Sequence, residues 1–187
     1  MKINFLSSII NKSNTDDNPL YVAFDKNKFS KKTESIGNYP LIESPSDHRI
    51  YAHFIKFLVQ LNDVVVVEEI FEKNGYSITS SGSELIHSAN KDLSVFVRKK
   101  EEFNGMSFSL ITNDNFLISD LQTSHIRPPF PQETFPHIDP EVYGALQGNM
   151  EFWWSFYWKP YWKSLTDDQI NSLLIPDEWM NFIERHS

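Results

Sequence analysis

Cysteine is absent from the 187-residue chain. That excludes disulfides, cysteine-ligated zinc and a cysteine nucleophile, and it fits a reducing compartment. Glycine is scarce, and its six positions (Gly37, Gly75, Gly82, Gly105, Gly144 and Gly148) are scattered. No glycine-rich phosphate loop can be assembled from them. No apolar run approaches the roughly 18 residues of a membrane-spanning helix. The opening stretch, residues 1–10, is interrupted by Asn4, Ser7 and Ser8 and runs into polar residues without a small-residue cleavage site. It reads as mature protein, not as a signal peptide. There is no His-Glu-x-x-His and no Gly-x-Ser-x-Gly, and Ser80-Ser81-Gly82-Ser83 has the composition of a turn. Together these gaps predict a soluble cytoplasmic protein with no cofactor and no catalytic set.

Basic residues are also missing where they would matter for nucleic acid. The net charge is −8, unevenly spread. Residues 1–60 carry eight basic and six acidic groups, and residues 61–187 carry nine and nineteen. Between residues 101 and 158 stand eight acids and one base, Arg127. Direct binding to nucleic acid is disfavoured, because phosphate neutralisation needs a basic patch. A basic protein partner would instead be drawn in by such a field.

What the chain has in excess is aromatic residues, and they are concentrated. Eight of the eleven residues 152–162 are aromatic: Phe152, Trp153, Trp154, Phe156, Tyr157, Trp158, Tyr161 and Trp162. At about 150–250 Å² per ring the segment offers roughly 1,200–2,000 Å² for burial. A helix aromatic on every side is expected to be buried on every side. The other reading is a partly exposed hot-spot surface for a partner.

Periodicity and punctuation predict an α+β chain: an antiparallel β-meander with N-terminal helices and an aromatic-rich helical C-terminal segment. One domain is expected. Residues 1–45 read as irregular, with a strand at 20–24. Residues 46–74 read as helical, because Ile50, Phe54, Phe57, Leu58 and Leu61 recur at helical spacing after a cap at Ser46 or Asp47. A second helix runs from Val64 to Asn74-Gly75. Residues 76–120 read as the meander, with strands near 76–79, 84–87, 93–98, 106–111 and 116–118. Five prolines at 128, 129, 131, 136 and 140 make residues 125–140 a stiff connector. Residues 141–187 form the aromatic helical tail, with a helix over about 140–159 broken or kinked by Pro160. Thr166-Asp167-Asp168-Gln169 is a capping box. Trp179, Phe182 and Ile183 give a last helix one apolar face.

The most metal-like pattern is His137-Ile138-Asp139, with His186 as a distant third ligand, the donor set of a non-haem iron site. Asp139 before Pro140 equally starts a helix as its cap. Asp47-His48 with His53 lacks the four-residue spacing that would place both imidazoles on one face.

In size, acidity, the Asn/Lys/Ile-rich style of its first 40 residues and the aromatic density at 152–162, the chain resembles the immunity proteins of bacterial polymorphic-toxin and contact-dependent inhibition systems. No motif carries the likeness. The resemblance implies a one-to-one inhibitor of a cognate toxin, a basic nuclease in many such systems, whose active site an acidic surface would block. That surface is expected among Glu101, Glu102, Asp114, Asp120, Asp139, Glu141 and Glu151. The alternatives are a small metal-dependent enzyme using His137 and Asp139, and a generic protein-interaction module.

Overall fold

The computed structural model describes residues 18–30, 39–43, 49–79, 82–88 and 92–187. Within them the chain is α+β, with helices on a five-stranded antiparallel sheet and aromatic-rich helices at the C-terminal end. A short helix α1 (Pro19–Ala23) precedes strands β1 (Ile42–Glu43) and β2 (His53–Gln60). Helix α2 (Val64–Lys73) is followed by β3 (Ser83–His87), β4 (Ser94–Glu102) and β5 (Gly105–Thr112). Helices α3 (Asn115–Thr123) and α4 (Pro131–Thr134) lead into the C-terminal helices. Among the described residues no helix is long and apolar enough to cross a membrane.

Strands β3, β4 and β5 form the expected meander, and β2 joins its far side to give the order β1-β2-β5-β4-β3. The β4–β5 turn is built by Phe103 and Asn104, both at φ +55°. Two successive left-handed residues suit a tight hairpin whose twist matches the strands. Gly105 follows because a Cβ there would lie 2.4 Å from the Val59 carbonyl oxygen.

Side chains alternate between the two sheet faces. One face carries Ile55, Phe57, Val95, Val97, Phe108 and Leu110, buried in the main core together with Val67, Ile70 and Phe71 of α2. Lys99 on this face pairs with Glu68 of α2 at 3.0 Å. At one end of the opposite face, Phe96 and Ile111 pack with Leu20, Ala23 and Phe24 in a separate small core under α1. The free side of β2 is guarded by Tyr39, whose hydroxyl both accepts from the Leu58 N–H and donates to its carbonyl, each at 2.8 Å. Burial drives the Tyr39 phenol far above its ordinary range.

The aromatic segment covers the other end of the α1 face. Helix α5 (Gly148–Trp153) passes through a π-helical turn (Trp154–Trp158) into α6 (Lys159–Ser164). Trp153, Trp154, Tyr157, Trp158 and Tyr161 are buried, and Phe152, Phe156 and Trp162 partly so. Trp153 stacks on Trp158 at 5.4 Å, and Trp158 on Trp162 at 6.0 Å. Helices α7 (Asp167–Asn171) and α8 (Asp177–His186) end the chain. Thr166 and Gln169 form the predicted capping box of α7, and Trp179, Phe182 and Ile183 form the buried face of α8.

Five local expectations are corrected. Residues 53–60 are a strand, not helix, because β2 pairs with β5 along its whole length and is covered on both faces. Apolar residues on both faces hide a period of two inside an apparent helical one. Residues 20–23 are helical, since Asn18 caps the turn by accepting from the Leu20 N–H and Pro19 takes the first helical position. Residues 116–118 belong to α3, capped by Asp114. Residues 76–79 form no strand. The aromatic helix starts at Gly148, after an irregular loop, and is not stopped at Pro160. Proline in a helix interior removes a donor and collides with the carbonyl four residues back; the wider π turn before Pro160 relieves both. The cap expected at Ser46 or Asp47, and the Asp47-His48 pair, lie outside the described residues.

Candidate functional site

The seven acids expected to form a surface have separate fates. Asp114 is buried, only 3% exposed. Its carboxylate accepts from the Phe116 and Leu117 N–H groups at 2.9 and 3.2 Å and from the Tyr76 hydroxyl at 2.8 Å. It caps α3 from inside and is unavailable to a partner. Asp120 is held by Lys73 at 3.0 Å and by the Asn74 amide at 2.8 Å, which hold its carboxyl below the usual range. Glu102 is half-buried at the end of β4, accepting from Tyr157 at 2.7 Å and pairing with Lys100. Burial pushes its carboxyl up, but hydrogen bonds from Lys100, Tyr157 and Ser107 prevail and hold it low. Burial and this carboxylate in turn drive the Tyr157 phenol far up.

Glu101, Asp139, Glu141 and Glu151 are exposed. Glu101 lies on β4 opposite Met106, and Glu151 in the first turn of α5. Asp139 and Glu141 share one turn, in which the Asp139 carboxylate accepts from the Glu141 N–H at 2.9 Å. Asp139 was expected to cap a helix beginning at Pro140; it caps only this turn, because the helix begins later, at Gly148. Arg185 of α8 donates to the Pro140 carbonyl at 3.2 Å and ties that turn to the last helix.

That tie places Glu141 beside the outer side of α8. Glu141 meets Glu178, Asn181, Glu184 and Arg185 across an open groove of about 510 Å³. Exposed Val142 stands next to Glu141 in the same turn. Glu178 and Glu184 were not among the expected site residues. Their signal is indirect: if Trp179, Phe182 and Ile183 face inward, then Glu178, Asn181, Glu184 and Arg185 must face outward. The groove has rigid backing, since Phe182 is fully buried against Trp154 and Trp179 at 5.9 and 5.5 Å.

The proposed metal ligands do not converge. Among the described residues no group of three His, Asp or Glu side chains could hold a metal ion. His137 is exposed, and the Nδ1 of His186 lies 2.8 Å from the Phe182 carbonyl on its own helix. His186 also packs on the Phe182 ring at 4.3 Å.

Known protein families, curated proteins and solved structures yield no match to this chain.

Proposed function

We propose that this protein is a stoichiometric inhibitor of the toxin-immunity kind, which binds a basic protein partner through the acidic groove between the 139–142 turn and α8. The carrying observation is the convergence of Glu141, Glu178 and Glu184 on one exposed groove whose helix is anchored by buried aromatics. Carboxylates on a rigid support lose little freedom on binding, and an acidic field speeds the encounter with a basic partner. The charge balance of residues 61–187 supports the same sign of partner, and a nuclease toxin, basic because it holds nucleic acid, fits it.

The test is capture from native lysate at low and high salt, using the natural chain and the triple variant Glu141→Lys/Glu178→Lys/Glu184→Lys. The expected result is one basic protein at equal stoichiometry, released by salt and lost by the variant. Capture and salt dependence unchanged by the charge reversal would sink the reading.

A further inference from the structure

The two ends of the sheet differ. At one end β1 is only two residues long, Ile42–Glu43. A very short edge strand offers little to a pairing chain. At the other end β3 runs from Ser83 to His87 in unbroken register with β4. Its residues, Ser83-Glu84-Leu85-Ile86-His87, include neither the lysine nor the proline that commonly blunts an edge. Among the described residues no strand pairs with its outer side.

Two bonds at the ends of the β3–β4 ladder fix its phase. The Lys99 N–H donates to the Gly82 carbonyl at 3.3 Å, and the Ser88 N–H to the Leu93 carbonyl at 2.9 Å. Hydrogen-bonded and non-hydrogen-bonded pairs alternate along an antiparallel ladder. Glu84 and Ile86 therefore turn their backbone groups toward Val97 and Val95, whereas Ser83, Leu85 and His87 turn theirs outward. The outward groups form a regular row that matches the edge of another strand.

We infer that β3 pairs antiparallel with β3 of a second copy of this chain, about a two-fold axis at Leu85. With Leu85 opposite its own copy, Ser83 stands opposite His87 of the second copy, and each such pair exchanges both of its backbone bonds. A two-fold dimer requires this self-match, because the same patch serves both chains. The charges also allow it. Glu84 and His87 are the ionisable side chains of the strand, and like charges directly opposite each other would oppose pairing. In this register neither meets itself. Glu84 falls opposite Ile86 of the second copy, and its carboxylate accepts from the Thr79 N–H and hydroxyl of its own chain at 2.6 and 3.0 Å. Leu85 supplies the apolar contact. It is half-buried against the small core of Phe96 and Ile111 under α1, and pairing brings two such cores side by side. The groove acids take no part, so the dimer leaves the proposed equal stoichiometry with a toxin unchanged and is tested separately from it.

Sedimentation equilibrium of the full chain, from about 5 to about 500 µM, tests the dimer over a range suited to a small interface. A mass that rises with concentration from monomer toward dimer is expected. Ser83→Pro should weaken the dimer about tenfold, because each copy loses an outward N–H. Proline is tolerated at the first residue of an edge strand, and this N–H faces away from β4. The exposed pair Ser83→Glu/His87→Lys should instead tighten the dimer about fivefold, since the register sets the new charges opposite each other across the axis. Thermal melting verifies that both variants fold, and the charge pair decides alone if the proline variant does not. A monomer at every concentration overturns the inference. So does a dimer unaltered by a folded Ser83→Pro variant, or one that the charge pair fails to tighten.

Discussion

The acidic groove and the Lys56, Lys100 and Glu102 cluster beside the aromatic segment carry their charges in different ways. Glu141, Glu178 and Glu184 stand on the outer side of a helix and turn whose stability comes from Trp179, Phe182 and Ile183 behind them. Lys56, Lys100 and Glu102 are part of the packing itself: one ammonium rests on three rings, and one carboxylate bridges Lys100 to a buried tyrosine. Charges of the first kind are separable from the fold and can change without cost to it. Charges of the second kind are tied to the packing, so any test of their role must first account for stability.

The strongest way to break this contrast is to remove the groove's backing. Phe182→Ala should destabilise the protein by about 3–5 kcal/mol, the usual cost of deleting a buried phenyl ring. Urea unfolding measures it, and the groove acids should lose their partner binding together with the helix. Asp114→Ala comes next. It removes the α3 cap, at about 0.5–2 kcal/mol, and leaves the buried Tyr76 hydroxyl without its acceptor, at about 1–3 kcal/mol more. The same measurement applies, and a change under half a kilocalorie would mean that Asp114 is not the structural acid its burial implies.

Asp114 also shows what the sequence does and does not reveal. Placing it within an acid-rich stretch was correct, but reading it as a surface group was not, because charge alone does not tell a helix cap from a contact residue. In the fold its carboxylate accepts from the Phe116 and Leu117 N–H groups, which makes residues 116–118 helix and not strand. The meander strands at 84–87, 93–98 and 106–111 were legible because turn residues bracket them. Strand β2 was not, since its two covered faces erase the alternation on which strand recognition depends. The helical nature of the aromatic tail could be read; its π turn could not, because nothing local distinguishes an i→i+5 ladder until Pro160 must be accommodated. The seat of Lys56 was invisible for another reason: Lys56 and Phe152 are far apart in the chain and meet only in the fold.

Acid sharpens the comparison at intermediate magnitude. The Glu102 carboxyl is held below its ordinary value in the folded chain. A group depressed in this way adds stability that is fully present above its unfolded value and is lost as pH falls through the folded one. The loss should therefore begin near pH 4.5, the ordinary value for glutamate, and continue below it. Glu102→Gln should flatten that part of the stability–pH curve, as followed by urea unfolding at several pH values. An unchanged acid slope would detach Glu102 from Lys100 and Tyr157.

The smallest effect is the most discriminating. Glu141→Gln, Glu178→Gln and Glu184→Gln should each move stability by no more than about 0.5 kcal/mol, as for exposed side chains without buried partners. All three are exposed, so neutralising them removes little that the fold depends on. Their effect should appear in the salt dependence of partner association, because rim charges govern encounter rate more than cohesion. If neutralising one of them instead costs as much as Asp114→Ala, then that acid is woven into the fold, and the separation between the two surfaces fails at that residue.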